Sequence, residues 1–201
     1  MASRLDPIGG WWGLTLSAVP PALVATLHSV IGLGPALLIA VTFATVVCVV
    51  RLRRGHPFGQ AAGGLIGVAI SAAIAWRSGS AIDYFLLDLI WNPTAAGLLL
   101  LSIVVRRPLT GVLWQIARRE PITRLPGWHF DLATVAWAAV FAARFLVQQS
   151  LFAQQQVAGL AAAKVLMGLP LTAAAVAVSL WAIGRAERTR AADRRALQRS
   201  A

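Results

Sequence analysis

Asp88 is the residue of this chain whose type and position most strongly suggest chemistry. It lies in the apolar run of residues 86–92, which the sequence predicts to begin a membrane-spanning helix. Asp83, another of the chain's seven acidic residues, lies just before it. A carboxyl group in hydrocarbon is costly unless it is paired, protonated or in contact with water. Asp88 and Asp83 are therefore the candidate catalytic residues.

Two basic residues also lie inside predicted spans rather than in loops. Arg144 falls in the fifth span and Lys164 in the sixth. From the helical rise, Asp88 is expected roughly 8–10 Å from the outer membrane surface, Arg144 roughly 6–10 Å and Lys164 about 10 Å. A packed bundle would bring the three charges together around one cavity in the outer half of the membrane. The alternative is that Asp88 forms a structural ion pair with Arg144 or Lys164.

Aromatic and amide side chains are predicted to line this cavity. Helical spacing places Tyr84, Asp88, Trp91 and Asn92 on one face of the fourth span, and a comparable stripe follows the fifth span. The predicted substrate-binding residues are Tyr84, Phe85, Trp91, Asn92, Trp137, Phe141, Arg144, Phe145, Gln148 and Lys164.

These residue types suit the proton-initiated cyclisation of a terpene. Such a reaction needs an acid, an apolar cavity and π faces that stabilise carbocations. Asp88 is the first choice as proton donor and Asp83 the second. The substrate would be a lipophilic prenylated molecule that enters from the bilayer. Because the three histidines are scattered and Cys48 stands alone, we expect no metal site and no cofactor.

The composition indicates a membrane protein. The chain is 58% hydrophobic and 12% charged, whereas soluble domains carry about 25% charged residues. The predicted fold is an all-α polytopic membrane helix bundle with about six transmembrane helices, and residues 109–128 are predicted to be an interfacial amphipathic segment. The six spans cover about residues 14–31, 35–50, 60–76, 82–105, 130–147 and 157–183.

The basic residues predict the orientation of the spans. Arg144 and Lys164 lie inside the predicted spans, and Arg77 lies on the outer side of the membrane. All the other Lys and Arg residues lie on the opposite side, so the net charge of +11 reflects the positive-inside rule and not nucleic-acid binding. We therefore expect a multi-pass protein of the cell (inner) membrane with both termini in the cytoplasm. Residues 1–184 are predicted to form a single transmembrane domain and residues 185–201 a basic cytoplasmic tail, either helical or disordered.

Several segments carry a resemblance to a known family. They are residues 60–69, 75–79, 83–85, 107–111, 137–144 and 164–171, together with Asn92. Over about residues 35–183 the chain resembles small bacterial integral membrane proteins of unknown function, distantly similar to intracellular septation protein A. It also resembles the membrane-bound terpene cyclases of bacterial indole-sesquiterpenoid pathways. It departs from ordinary members at residues 87–88, where a Pro-Gly-like pair is expected.

Three function classes follow from these features. The first is the terpene cyclase, the second a small transporter or channel, and the third a structural or interaction protein of the cell envelope. The two halves show no clear internal repeat, which weakens the transporter. An aromatic pocket that is closed to water and opens to lipid would favour the cyclase. A water-filled path through the membrane would favour the transporter, and tight packing around the charges would favour the structural role. The oligomeric state does not follow from the sequence.

Overall fold

The computed structural model describes the backbone of residues 10–119 and 128–200, and the side chains of these residues except 10–18, 60, 169 and 189–200. Helices follow one another along both described ranges. They are α1 (Gly10–Ile31), α2 (Leu33–Arg53), α3 (Phe58–Ser78), a 3₁₀ helix (Ala81–Phe85), α4 (Leu86–Val104), α5 (Leu109–Ala117), α6 (His129–Ala153) and α7 (Val157–Ser200).

Five helices of the described chain are long and apolar enough to cross a membrane. They are Leu33–Arg53, Ala61–Ser78, Ala81–Val104, His129–Ala153 and Val157–Arg188. In α1, the part whose side chains the structure describes contributes the apolar stretch Val19–Ile31. The predicted all-α polytopic membrane bundle is therefore confirmed, and the other five predicted spans meet the length and composition of a transmembrane helix.

Glycines make two of the tight connections between helices. Gly32 alone separates α1 from α2 and has a φ of 86°, while Gly79 ends α3 with a φ of 72°. Residues with a Cβ rarely adopt such positive φ values, so glycine allows the chain to reverse within very few residues.

Two helix boundaries differ from the prediction. The fourth span begins with the 3₁₀ helix Ala81–Phe85 and not with an α-helix. The fifth span was predicted to end at about residue 147, but α6 continues to Ala153, and the turn is made near Gln155, whose φ is 57°. Glutamine is a good helix former, which explains the longer helix. The basic tail continues α7 as helix up to Ser200, which decides between the two predicted forms of the tail.

The amphipathic segment is described only in part. Its first half is the helix α5, whereas residues 120–127 lie outside the described residues. In α5 the side chains of Trp114 and Gln115 are buried, and those of Leu113 and Ile116 are exposed. An apolar exposed face is what an interfacial helix presents to lipid.

The chain divides into two compact units. The first comprises Met1–Trp91 and Phe145–Leu169. Small side chains form much of its core: Ala40 of α2 and Ala75 of α3 are fully buried in one cluster with Val24 of α1 and Leu160 of α7. Small residues allow helices to approach closely in lipid, where van der Waals packing drives their association.

The second unit comprises Asn92–Arg144 and Pro170–Ala201. The hydroxyls of Thr110 and Thr134 lie 2.7 Å apart, and both lie within hydrogen-bond distance of the carbonyl oxygen of Phe130. Arg118 forms an ion pair with Glu187 and lies over the ring of Trp114. Polar contacts therefore tie α5 to both α6 and α7.

Candidate functional site

An ion pair between two membrane-spanning helices forms the centre of the candidate site. Nζ of Lys164, in α7, donates a hydrogen bond to Oδ2 of Asp88, in the first turn of α4. Both side chains are partly buried, with exposed fractions of 31% for Lys164 and 29% for Asp88. Both residues belong to the first unit. In this geometry the Asp88 carboxylate is a hydrogen-bond acceptor for a cation.

The local backbone explains where Asp88 lies. The chain changes from 3₁₀ to α geometry at Leu86, so Asp88 falls within the first turn of α4. The 3₁₀ helix continues directly into α4, and the N–H of Leu86 is hydrogen-bonded to the carbonyl oxygen of Asp83. The contact shown for the Asp88 carboxylate is therefore the one with the Lys164 ammonium.

Tyr84 and Phe85 lie beside this pair, but within the core. Their exposed fractions are 2% and 1%, and their rings make an edge-to-face contact with centroids 5.4 Å apart. Both belong to the main core cluster of the first unit. Tyr84 also lies within electrostatic range of Asp88. Their first role is therefore packing between helices, with the charged pair at the edge of the packed region.

Asp83 and Trp91 have different surroundings from Asp88. Asp83 is half-buried, and its carboxylate has no hydrogen-bond or ion-pair partner among the residues that the structure describes. The side chain of Trp91 is 61% exposed. The predicted single stripe of Tyr84, Asp88 and Trp91 is therefore not one buried face, since Tyr84 is buried in the 3₁₀ helix while Trp91 of α4 is exposed.

Arg144 contacts a hydroxyl group of the second unit. Its Nη2 donates a hydrogen bond of 2.7 Å to Oγ1 of Thr172. Asn92, another predicted site residue, belongs to the same unit and is buried. Of the two basic partners that were predicted for Asp88, the structure thus pairs it with Lys164. Thr172 was missed by the sequence analysis, because a hydroxyl among apolar residues gives little signal unless its partner is known.

The stripe predicted on the fifth span is present, but its members make separate contacts. Trp137 and Phe141 have ring centroids 6.2 Å apart, and Nε1 of Trp137 donates to Oγ of Ser179 at 3.0 Å. Phe145 and Gln148 belong to the first unit, where Phe145 is half-buried and Gln148 is buried. Ser179, like Thr172, is a partner that sequence reasoning did not identify.

The site offers one carboxylate and one ammonium in contact, with the buried Tyr84 within electrostatic range of the carboxylate. Among the described residues, no group of three His, Cys, Asp or Glu side chains could hold a metal ion. The arrangement can connect helices through charge.

One comparison with known proteins identifies a family for the chain. No curated protein and no solved structure matches the chain. One family model, described as a protein of unknown function (DUF3159), matches residues 8–190. The expectation of a family of unknown function is confirmed, and the chain belongs to the DUF3159 family of proteins of unknown function.

Proposed function

We propose that the protein is an interaction protein of the cell membrane, in which the Asp88–Lys164 ion pair holds α4 against α7. The observation that carries the proposal is that Lys164 binds the carboxylate that was the first choice as proton donor. Tyr84 and Phe85 support it further, because they pack in the core. The distribution of Lys and Arg supports a multi-pass protein of the inner membrane with both termini in the cytoplasm.

The exposed surfaces of α4 and α7 support binding to another membrane protein. Only 11% of the residues in the apolar stretch of the fourth span are buried, and only 12% of those in the apolar stretch of α7. Large apolar side chains such as Leu101 and Leu166 are exposed on them. The rest of the chain covers little of these two helices. Lipid or a partner helix must therefore contact their exposed faces. The partner in this proposal is a second transmembrane protein of the cell envelope.

Site-specific photo-crosslinking in native membranes tests this function. A photo-reactive residue at Leu101, which is 56% exposed, is expected to give one crosslinked protein species of fixed mass. The same residue at Leu160, which is fully buried, is the matched control and is expected to give none. Lys164→Met is expected to lower the yield from position 101, since α4 loses its attachment to α7. Crosslinks to lipid alone would contradict the proposal.

A second candidate function is the proton-initiated cyclisation of a lipophilic prenylated substrate. The electrostatic interaction of Tyr84 with Asp88, which in turn binds Lys164, favours it, because acid–base groups then lie beside apolar side chains. In this candidate Asp83 becomes the better proton donor, since Lys164 binds Asp88 while the Asp83 carboxylate has no partner among the described residues.

The two functions are separated by an assay for cyclised product. Membranes with the intact chain, Asp83→Asn or Asp88→Asn would receive linear prenylated substrates, including a prenylated indole. Cyclised product that is lost only in Asp83→Asn, with equal amounts of folded protein, would establish the cyclase. The interaction protein predicts no product from any of the three, together with the crosslink from position 101.

A further inference from the structure

A narrow crevice opens among the first three helices, away from the Asp88–Lys164 pair. Its lining comes from α1, α2 and α3, all within the first unit: Pro20, Phe43, Ala44, Val47, Arg51, Ala61, Gly64, Leu65 and Val68. Its volume is about 70 Å³. Since one water-sized group needs about 10–15 Å³ on this measure, the crevice has room for roughly five such groups in a row.

The lining has one charged end. Eight of the nine lining residues are apolar or glycine, and the ninth, Arg51, lies in the last turn of α2. Arg53 and Arg54 follow it and are exposed. No acidic residue occurs between Asp6 and Asp83, so the charged side chains of residues 7–82 are all basic. The crevice is therefore apolar along its length and strongly positive at one end.

The charged end falls at the level of lipid headgroups. The helix α2 is long and apolar enough to span the bilayer, so its last turn lies at a membrane–water interface. Phospholipid phosphates lie at this depth, and their acyl chains run from there into the hydrocarbon. Guanidinium groups bind phosphate oxygens through charge-assisted hydrogen bonds, and clustered arginines at the interface attract anionic lipids.

We propose that this crevice binds an anionic phospholipid, with part of one acyl chain between α2 and α3 and the phosphate on Arg51. Arg53 and Arg54 add positive charge at the mouth. The site is independent of the proposed function, because none of its lining residues belongs to the candidate site around Asp88. It would give the protein a preference for membranes that are rich in anionic lipid.

Gly64 offers a way to fill the crevice without disturbing the fold. A Cβ added at Gly64 meets no atom within 4 Å, and the same holds for its neighbour Gly63. Gly64 lines the crevice and Gly63 does not. Leucine at position 64 therefore occupies the space of the acyl chain, and leucine at position 63 is the matched control with the same propensity and volume.

Native mass spectrometry of the delipidated full-length protein in detergent micelles tests the site. The probes are phosphatidylglycerol, phosphatidylcholine with the same acyl chains, and glycerol phosphate, which carries the charge but no chains. We expect phosphatidylglycerol to bind with a dissociation constant about tenfold lower than that of either other probe. Gly64→Leu and Arg51→Gln are each expected to weaken its binding about tenfold, while Gly63→Leu and Arg51→Lys keep most of it.

Several results would overturn the site. Equal binding of phosphatidylglycerol and phosphatidylcholine would exclude recognition of the charge, and glycerol phosphate binding as tightly as the lipid would exclude the acyl chain. Equal effects of Gly64→Leu and Gly63→Leu would exclude this crevice. If Gly64→Leu does not fold, the binding of phosphatidylglycerol to Gly64→Ala and to Arg51→Gln is compared with its binding to the intact chain. Unchanged binding in both variants would contradict the proposal.

Discussion

Replacing Lys164 with methionine is expected to lower the free energy of unfolding by about 3 kcal/mol. The change keeps a long apolar stem but removes the ammonium that binds Asp88, and it leaves a carboxylate without its cation in apolar surroundings. Breaking a buried ion pair from one side costs roughly 3–5 kcal/mol. Because about 30% of each side chain is exposed, the lower end of this range applies. Equilibrium unfolding in mixed micelles measures the change.

The double variant Lys164→Met with Asp88→Asn is the control for this prediction. Removing both charges leaves no uncompensated ion, so the double variant is expected to recover more than half of the lost stability. If Lys164→Met were as stable as the intact chain, the pair would contribute nothing to the fold. The proposed attachment of α4 to α7 by this ion pair would then lose its main support, and the crosslink from position 101 would need another explanation.

Phe85→Ala is expected to destabilise the protein by about 3–5 kcal/mol, the usual cost of removing a buried phenylalanine ring. The ring is 1% exposed and packs edge-to-face against Tyr84 in the core of the first unit. Its loss leaves a cavity and removes dispersion contacts, which are a main source of stability inside a membrane. The same unfolding measurement applies.

Trp91→Ala is the matched control, since it removes an even larger aromatic side chain six residues away. Trp91 is 61% exposed, so its truncation is expected to change the stability by less than about 0.5 kcal/mol. Equal losses for Phe85→Ala and Trp91→Ala would mean that Trp91 packs against a partner. Reduced cyclisation in Trp91→Ala without a loss of stability would instead support the second candidate function.

The helices and the charged pair follow from simple physical rules applied to the sequence. Long apolar runs must form helices in lipid, because the backbone has no water to bond with. Because each helical residue adds a fixed rise, the positions of Asp88 and Lys164 in their helices place them at a similar depth in the membrane. Depth alone does not distinguish Lys164 from Arg144 as the partner. That choice depends on helix rotation and on hydroxyl partners such as Thr172, which bind Arg144 instead.

The aromatic residues show why the rest of the candidate site could not be read from spacing. The predicted stripe assumed 100° per residue from Tyr84 onward, whereas the chain is 3₁₀ up to Phe85. The tighter helix turns by about 120° per residue, so Tyr84 and Phe85 point in other directions relative to α4 than uniform α-helical spacing predicts. In a membrane protein, lipid-facing and core-facing positions are both apolar, so composition does not tell Phe85 in the core from Trp91 on the surface.

Infrared spectroscopy of the Asp88 carboxyl group tests the central claim most directly. The protein would be labelled with ¹³C-aspartate, reconstituted in bilayers at neutral pH, and compared with Asp88→Asn. An ion pair with Lys164 predicts that the difference spectrum contains carboxylate bands and no carboxylic acid C=O band from Asp88. A carboxylic acid band that disappears in Asp88→Asn would show a protonated acid in the membrane, and it would contradict the ion pair.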